Sequence, residues 1–303
     1  MQSSQTEMLL ALDIGGTKVA AARVENGVIL ERRQQPMAYD AQGFARVIDI
    51  LTAGWSAPER VSVCTTGYID GGRVHSVNLD IIKFWDGFAL ADLLQARFAC
   101  PVTLINDGQA AAWGEYLVRQ TDYAQAANLL FITLSTGVGG GLVLDDRLRV
   151  GPHGLAAHVG HAGVRLAALD GATRCGCGRL GCLEMIASGT SLARQATALF
   201  GKPMNSAELF ALAAHDDQAE AIIANAAQAV AEAIGGFHMI VDLQEVVIGG
   251  SVGLANGMLD RIRTALKGLA LRAAPILSAA RRGGDAGLAG VIALDNAFTE
   301  SYK

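Results

Sequence analysis

The stretch MLLALDIGGTK, residues Met8–Lys18, joins an apolar run to a glycine-rich turn, with the acidic residue Asp13 just before the glycines. A second apolar run, Val19–Val24, follows directly. Asn26-Gly27 is then a strong hairpin signal, and Val28–Arg33 has the composition of another strand. The sequence therefore predicts three consecutive strands, with a turn of small residues between the first two.

A second block later in the chain follows the same plan. Leu129–Leu134 is an apolar run, and the glycine-rich stretch Ser135–Gly141 comes directly after it. Leu142–Leu144, the turn residues Asp145-Asp146 and Leu148–Val150 complete another predicted three-strand meander. The repeated plan indicates an internal duplication, with one copy beginning each half of the protein.

The segments after each meander alternate between helical and strand-like patterns, which predicts a mixed α/β architecture with parallel strands. Helices are predicted over Gly43–Leu51, Ala89–Phe98, Asp107–Val118, Ser188–Leu199, Ala219–Ile240, Met258–Leu271 and Gly287–Phe298, and buried strands over Arg60–Thr65, Val102–Ile105 and Glu245–Ile248. The polar stretch Arg119–Ala127 is the best candidate for a linker between two domains. At 303 residues the chain is long enough for two domains of ordinary size.

The composition excludes several classes of protein. Hydrophobic residues make up 51% of the chain and charged residues 17%, which is typical of a compact globular protein and not of a disordered one. With a net charge of −5 and no cluster of Lys and Arg, the chain lacks the basic surface typical of nucleic-acid binding. No uncharged apolar run approaches the ~20 residues of a membrane span, and Met1–Glu7 lacks a signal-peptide pattern. We therefore expect a cytoplasmic protein with no nucleic-acid or membrane partner.

Glycine-rich turns between strands let backbone N–H groups approach an oligophosphate that side chains would keep at a distance. Asp13 could hold a hydrated Mg²⁺ ion beside the first turn, and Lys18 adds a positive charge. Glycines in a hairpin are often only turn residues. Two such turns in duplicated halves, with a third glycine pair at Gly249-Gly250, favour nucleotide binding over that simpler interpretation.

Three cysteines, Cys175, Cys177 and Cys182, fall within eight residues, and His161 lies fourteen residues before the first. Thiolate and neutral imidazole are ligands of structural zinc, which binds four of them tetrahedrally. The alternative is a disulfide or simply buried thiols. A Cys-X-Cys disulfide closes a strained ring, and the chain has five cysteines, an odd number. The pattern therefore favours a structural zinc site, with the reaction chemistry elsewhere.

The pair Asn106-Asp107 lies where a buried strand ends and a helix begins. A carboxylate at this position can accept a proton from an attacking hydroxyl while the neighbouring amide orients the acceptor. The alternative is that Asp107 only caps its helix. The local sequence favours neither interpretation.

In their order along the chain, these motifs resemble those of the ROK family of sugar kinases, over nearly the whole sequence. The matching segments are Asp13–Lys18, Asn106-Asp107, Ser135–Gly141, Gly160-His161 and Cys175–Glu184. The resemblance implies an actin-like, ribonuclease-H-like ATPase fold of two lobes, with a duplicated β-meander plus α/β plan and a central cleft for the sugar. The N-terminal lobe would span residues 1–118, with the C-terminal helix, about 286–303, packing back on it. The C-terminal lobe would span residues 119–285 and contain the zinc loop 161–182.

The resemblance also implies roles for particular residues. Asp107 would be the general base that accepts the proton of the sugar's 6-hydroxyl. The sugar would be bound by Gly67, Asn78, Asn106, Asp107, His158, His161 and Glu184. A structural zinc ion would be held by His161, Cys175, Cys177 and Cys182. ATP would be bound, with Mg²⁺, by Ala11, Leu12, Asp13, Ile14, Gly15, Gly16, Thr17, Lys18, Thr136, Gly137, Val138, Gly139, Gly140, Gly141, Leu142, Val143, Leu144, Gly249 and Gly250.

One position departs from the wider family, in which many members carry a glutamate three residues before the histidine of the Gly-His pair. Here that residue is His158. An imidazole can donate a hydrogen bond to an N-acetyl carbonyl, whereas a carboxylate only accepts; the alternative is a chance replacement by another polar residue. Bacterial N-acetylmannosamine kinases of the family resemble this chain here and at Gly249–Ala255, which favours N-acetylmannosamine as the substrate.

The activity that the resemblance implies is therefore ATP-dependent phosphorylation of the 6-hydroxyl of N-acetylmannosamine by a homodimer. The alternatives are a ROK kinase of another hexose, glucose or N-acetylglucosamine, and a non-catalytic sugar-sensing protein. A sensor would be expected to lack the base, and Asp107 is present.

Overall fold

The structure is a computed structural model that describes residues 7–77, 82–120, 127–165 and 174–300. The chain divides into two compact units. The first comprises Met1–Gly114, Val150–Leu155 and Asp285–Lys303, and the second comprises Glu115–Arg149 and Ala156–Gly284. Each unit contains one five-stranded sheet, and the two sheets have separate hydrophobic cores.

The sheet of the first unit has the strand order β3-β2-β1-β4-β7. Its strands are β1 (Met8–Ile14), β2 (Lys18–Glu25), β3 (Val28–Pro36), β4 (Arg60–Thr65) and β7 (Val102–Asn106). The first three form the predicted antiparallel meander, and β4 and β7 extend it in parallel with β1. Every residue of the central strand β1 is buried except Asp13, which lies near its end.

Three helices and a hairpin complete this part of the first unit. Helix α1 (Ala41–Thr52) is capped by Asp40, which accepts from Gly43 N–H at 2.6 Å. The hairpin of β5 (Tyr68–Asp70) and β6 (Arg73–His75) precedes α2 (Leu90–Phe98), and α3 (Asp107–Gln120) begins where β7 ends. The β7–α3 junction therefore fixes the position of Asp107.

The sheet of the second unit repeats the order of the first as β10-β9-β8-β11-β12. Its strands are β8 (Leu129–Leu134), β9 (Val138–Leu144), β10 (Arg147–Arg149), β11 (Glu245–Gly249) and β12 (Ile276–Ala279). The first three form an antiparallel meander, and β11 and β12 run parallel to β8. The shared order confirms the duplication predicted from the sequence.

Among the described residues, the α-helices of the second unit are α4 (Glu184–Ala187), α5 (Gly189–Phe200), α6 (Ser206–Leu212), α7 (Asp217–Val241), α8 (Gly250–Gly253) and α9 (Met258–Gly268). The long helix α7 buries a face rich in alanine and isoleucine and packs against α9.

The C-terminal helix α10 (Ala286–Glu300) packs against β1 and β4 of the first unit. The buried carboxylate of Asp295 accepts from Arg60 Nε at 3.0 Å and from Ser62 Oγ at 3.3 Å. At Gly290 the helix lies so close to α3 that a Cβ atom would be 1.8 Å from Ala110 O. Helix α10 is thus packed into the first unit.

Two predicted helix ends differ from the structure. The helix predicted to end at Val118 continues to Gln120, so Arg119, the first residue of the predicted linker, is helical. The helix predicted over Met258–Leu271 ends at Gly268, and Ala270 has a left-handed φ of 50°, which is incompatible with a continuing helix. None of the described helices is long and apolar enough to cross a membrane.

Candidate active site and metal cluster

The turn between β1 and β2 is closed by a hydrogen bond from Gly15 N–H to Lys18 O at 2.9 Å. Asp13 stands at the end of β1 beside Cys64, its partner residue on β4. Burial raises the pKa of Asp13, while a hydrogen bond from Cys64 and the charge of Lys18 act in the opposite sense. The turn therefore presents a partly buried carboxylate next to exposed backbone, an arrangement suited to a hydrated cation.

Asn106 caps helix α3. Its Oδ1 accepts from Gly108 N–H at 2.9 Å and from Gln109 N–H at 3.1 Å, which are the N-terminal amides that a helix leaves without partners. The amide Nδ2 of Asn106 donates to Asp107 Oδ1 at 3.0 Å. Because Asn106 makes the cap, the alternative that Asp107 is present only as a capping residue loses its main support.

The carboxyl group of Asp107 has an unusual environment. Burial, and next the negative charge of Asp13, raise its pKa to about 6, against the hydrogen bonds from Gly108 and Asn106 that favour the ionised form. A carboxylate with a pKa just below neutral pH is ionised there and is still a stronger base than an exposed aspartate. Asp107 can therefore act as a proton acceptor.

The structure brings Gly67 and Asn106, two of the predicted sugar-binding residues, into contact. Asn106 Nδ2 donates to Gly67 O at 2.7 Å. Gly67 has a φ of +92°, and a Cβ atom there would be 2.5 Å from His75 O, so both its conformation and its contacts require glycine. Asn78, also predicted to bind the sugar, lies outside the described residues.

The turn after β8 corresponds to the turn after β1. Ser135 N–H donates to Gly137 O at 2.9 Å, which folds the backbone tightly between β8 and β9. Gly250, at the start of α8, lies against the end of β8 with a φ of +83°, and a Cβ atom there would be 2.2 Å from Leu134 O. Within the second unit, the predicted ATP-binding segments at Gly137 and Gly250 therefore lie close together.

Gly140 has a structural reason to be glycine. A Cβ atom at this position would be 2.6 Å from Phe131 O and 2.5 Å from a methyl group of Val159. The residue allows β9 to pack closely against its neighbours. Its presence in the glycine run is thus explained by packing within the second unit without reference to a ligand.

The four residues His161, Cys175, Cys177 and Cys182 form one cluster that could hold a metal ion. Their ligand atoms lie within 4.8 Å of one another. Cys175 Sγ is 3.5 Å from His161 Nδ1, and Cys177 Sγ is 3.6 Å from Cys182 Sγ, with all three thiols free. Ligands of a tetrahedral metal at 2.0–2.3 Å lie about 3.3–3.8 Å apart, so both distances fit a shared ion.

The electrostatics of this cluster also suit a metal. Burial, and next the charge of Arg179, lower the pKa of His161, which keeps the imidazole neutral as a ligand must be. Burial alone would raise the pKa of Cys177, but hydrogen bonds from Arg179 and from the neighbouring thiols bring it to about 7. At least one thiol is thus readily converted to the thiolate that binds metal.

Glu184 follows the cysteine loop directly and begins α4. Its Oε2 accepts from Val138 N–H at 3.0 Å, so this carboxylate contacts the turn between β8 and β9. Burial raises the pKa of Glu184, and the hydrogen bond from Val138 partly offsets that rise.

His158 and His161 lie at the two ends of a short helical turn, Val159–His161, which His158 directly precedes. Their rings are stacked, with planes 20° apart and centroids 6.5 Å apart.

Thr190 contacts the same turn but was missed in the sequence. Its N–H and Oγ1 donate to Thr136 O at 3.2 and 2.9 Å. The only local signal is a helix start, Ser188 followed by Gly189, which does not indicate contact with a residue 54 positions away.

Two sheets of matching strand order, each with a turn of small residues after its first strand, define the actin-like ATPase fold. The chain belongs to the ROK family, whose model matches residues 9–297. The chain is 40% identical to the N-acetylmannosamine kinase of Vibrio cholerae serotype O1 over 261 residues, which are 85% of this chain and 88% of that relative.

Two solved structures are similar over almost the whole chain. The ROK hexokinase of Thermus thermophilus has a TM-score of 0.81 and 30% identity, with 97% of this chain and 99% of that chain covered. A ROK family glucokinase of Streptomyces griseus, in complex with glucose and AMPPNP, has a TM-score of 0.77 and 30% identity, with coverages of 95% and 98%.

Proposed function

We propose that this protein is an ATP-dependent sugar kinase that phosphorylates the 6-hydroxyl of N-acetylmannosamine. The observation that carries the kinase assignment is Asp107, a buried carboxylate with a pKa of about 6, beside Asn106, whose Oδ1 caps the helix. The substrate assignment rests on the relative from Vibrio cholerae, which is an N-acetylmannosamine kinase.

In the proposed reaction Asp107 accepts the proton of the sugar's 6-hydroxyl as the oxygen attacks the γ-phosphorus of ATP. Asn106 holds that carboxylate through its Nδ2 at 3.0 Å and keeps the helix start in place. Proton transfer to a positioned base contributes about 10²–10⁴-fold to a rate. No covalent enzyme intermediate is required, because the hydroxyl itself is the nucleophile.

We assign ATP binding to two segments, each of which contains a turn of small residues. The first, Ala11–Lys18, includes the end of β1 and the turn after it. The second, Thr136–Leu144 with Gly249 and Gly250, includes the turn after β8 and strand β9. Support comes from the solved glucokinase of the family, which was obtained with AMPPNP, an ATP analogue. Mg²⁺ bound with ATP neutralises negative charge on the transferred phosphoryl group. Asp13, partly buried at the end of β1, is the residue that would hold the hydrated ion.

The sugar is assigned to Gly67, Asn78, Asn106, His158, His161 and Glu184, together with Asp107. We propose that the cluster at His161 holds structural zinc, since its one imidazole and three thiols are a zinc ligand set. A zinc ion there would supply a cross-link for the cysteine loop, and the loop would then position His161 and Glu184 for the sugar.

The two compact units are proposed to be the N-terminal and C-terminal lobes expected from the sequence. We further propose a homodimer in the cytoplasm. A cluster of three thiols that must stay reduced to bind metal suits a reducing compartment. Light scattering of the purified protein tests the homodimer.

A kinase of another hexose is the second candidate. The hexokinase and glucokinase of the family, each 30% identical to this chain, favour it. A coupled assay of ADP release distinguishes the candidates, with N-acetylmannosamine, N-acetylglucosamine, mannose and glucose compared by kcat/KM. We expect N-acetylmannosamine to have the highest value. A preference for glucose would overturn the substrate assignment, and no turnover of any sugar would overturn the kinase assignment.

A further inference from the structure

The carboxylate of Glu184 faces the turn that we assign to ATP. Glu184 Oε2 accepts from Val138 N–H at 3.0 Å. A Cβ atom on Gly137 would be 2.9 Å from the same oxygen, so the absence of a side chain at Gly137 gives the carboxylate its room. One oxygen of Glu184 thus accepts from Val138 N–H and occupies the space that a side chain at Gly137 would need.

The other end of the turn is held independently of Glu184. Gly189 N–H donates to Ser135 O at 2.7 Å, and Thr190 donates to Thr136 O from both its N–H and its Oγ1. These bonds hold carbonyl groups of the turn, whereas Glu184 holds an N–H group. Donors from α5 therefore hold the turn at Ser135 and Thr136, while at Val138 the carboxylate of Glu184 adds a side-chain bond to the pairing of β9 with β8.

The backbone of Glu184 is tied to the metal cluster. Cys182, a cluster member, lies two residues before it, and Leu183 N–H donates to Ala162 O at 2.9 Å, next to His161. Gly163 and Cys182 also form an isolated β-bridge. The main chain on both sides of the cluster thus holds the start of α4. The position of the Glu184 carboxylate therefore changes through the rotamer of its side chain.

We propose that Glu184 is a positioning residue that links sugar binding to the ATP-phosphate turn, so that each ligand strengthens the binding of the other. The inference rests on the proposed function, which places a sugar hydroxyl against this carboxylate. That hydroxyl donates to Glu184 and fixes its rotamer, and the fixed Oε2 in turn holds Val138 N–H and the turn. Linkage requires the effect to be reciprocal, and coupling between sites is typically 5- to 150-fold.

The test is a thermodynamic cycle measured by calorimetry with the full-length protein. The affinity for AMPPNP with Mg²⁺ is measured with and without saturating N-acetylmannosamine, and the affinity for the sugar with and without AMPPNP. In the wild type we expect each ligand to increase the affinity for the other by about fivefold or more. Tight binding of both ligands without any coupling would overturn this inference while leaving the proposed function intact. Binding of no sugar at all would overturn both.

Gly137→Ala is the informative variant. Its φ does not require glycine, but the new Cβ would push against Glu184 Oε2 from the side of the turn. We expect the coupling factor to fall to about one. Thr190→Val is the matched control, because it removes only the Oγ1 bond to Thr136 O. This variant should lower the affinity for AMPPNP by the same factor with and without sugar, and so retain the coupling. Equal loss of coupling in both variants, or full coupling in Gly137→Ala, would overturn the inference.

Hydrogen exchange of the wild-type protein gives a second test that needs no variant. Addition of the sugar alone, without nucleotide, should slow exchange in the peptide that contains Val138, since its N–H donates to the carboxylate that the sugar fixes. The peptide that contains Arg263, in α9, serves as an internal control and should not change. Unchanged exchange at Val138 would contradict the link.

Discussion

Asn106 and Asp107 are adjacent polar residues that could each cap a helix, and the structure divides the work between them. The amide oxygen of Asn106 accepts from two N-terminal N–H groups of α3, at 2.9 and 3.1 Å. Asp107 accepts from Gly108 N–H at 2.8 Å and has the charge of Asp13 nearby. A capping aspartate would have its pKa lowered by the helix. The raised pKa of Asp107 is typical of a functional carboxyl group.

Replacement of Asp107 by Asn tests its role directly. The variant Asp107→Asn keeps the size of the side chain but cannot accept the hydroxyl proton, so we expect kcat to fall by at least ~10²-fold with nearly unchanged affinities for sugar and ATP. The matched control is Asp92→Asn, in the first turn of α2, where the carboxylate is exposed. Steady-state kinetics and calorimetry measure both variants. Near wild-type turnover in Asp107→Asn would show that the base is elsewhere.

The pH dependence of kcat/KM for the sugar should show an acidic limb near pH 6. Burial and the charge of Asp13 raise the pKa of Asp107 to about 6, so its protonated, inactive form persists up to that pH. Activity should therefore fall as the pH decreases through 6. In Asp13→Asn the neighbouring negative charge is gone, and the residual activity should show its limb at lower pH. A wild-type limb near pH 4 would contradict the assignment.

His158 is predicted to favour the N-acetyl group. If its imidazole donates to the acetamide carbonyl, His158→Glu should lower kcat/KM for N-acetylmannosamine more than kcat/KM for mannose. One hydrogen bond between neutral groups is worth about 0.5–1.5 kcal/mol, so the ratio of the two kcat/KM values should fall about threefold to tenfold. His153→Glu serves as the control, since His153 is an exposed residue of the chain. An equal loss for both sugars would show that His158 only supports the adjacent cysteine loop.

The chemical character of single residues was predictable from the sequence, but their environments were not. The position of Asp107 at the end of a strand could be read directly, because apolar runs end where polar residues begin. Whether Asp107 acts as a helix cap or as a base could not be read from the sequence. That choice depends on the hydrogen bond from Asn106 Nδ2 and on the charge of Asp13, which lies on a strand 94 residues earlier in the chain. The contact of Glu184 with Val138 also joins residues distant in sequence.

At the scale of elements, the cysteine loop is folded into a compact turn by hydrogen bonds of its own backbone. Gly178 N–H donates to Cys175 O at 2.8 Å, and Cys175 N–H donates to Arg179 O at 2.9 Å. Gly178 and Gly181 have φ values of +86° and +82°, which the loop requires and which other residues rarely adopt. The loop is therefore arranged for its thiols to converge.

Removal of one thiol should empty the metal cluster. Cys177→Ser leaves three ligands, and we expect the metal content to fall from about one zinc ion per chain and the melting temperature to fall with it. Sugar affinity should weaken in parallel because Glu184 follows the loop directly. Cys100→Ser is the control, since Cys100 is buried and lies outside the cluster.

Elemental analysis and X-ray absorption measure the outcome. A Zn–S distance of ~2.3 Å is expected in the wild type. A disulfide between any two of the cluster cysteines in freshly purified, reduced protein would contradict the assignment.

The meanders were predictable because each has its own apolar runs and turn signals. Elements without such signals were missed. Strand β12 is short and lies at the edge of its sheet, and none of its four residues is buried. The hairpin strands β5 and β6 have three residues each, too few for an alternating pattern to be recognised. Short elements are determined by the partners they pair with, and those partners are distant in sequence.

At the scale of the whole molecule, the first unit is completed by a distant part of the chain. The first unit takes its last helix from the C-terminal end, where Asp295 binds Arg60 and Ser62. Gly287 of that helix lies beside the site, because a Cβ atom there would be 3.0 Å from Cys64 Sγ and 3.7 Å from Asp13 Oδ2. The packing around Asp13 and Cys64 therefore includes the start of the C-terminal helix.

A side chain at Gly290 should disturb this packing. In Gly290→Ala the new Cβ would be 1.8 Å from Ala110 O, so α10 and α3 must move apart. We expect the free energy of unfolding to fall by about 1–3 kcal/mol, measured by urea denaturation. Gly284→Ala is the control, since no atom lies within 4 Å of the Cβ it would add. Equal stability of the two variants would contradict the close packing.

The discontinuity of the first unit has a consequence for synthesis on the ribosome. Residues up to Gly114 emerge first, but the helix that completes their core begins at Ala286. At roughly 5–20 residues per second, the interval is on the order of 10–30 s. During that time the face of β1 and β4 that later packs against α10 lacks its partner, while most of the second unit is already synthesised. The first unit therefore begins to emerge before the second, but its core is completed only after the second unit has been synthesised.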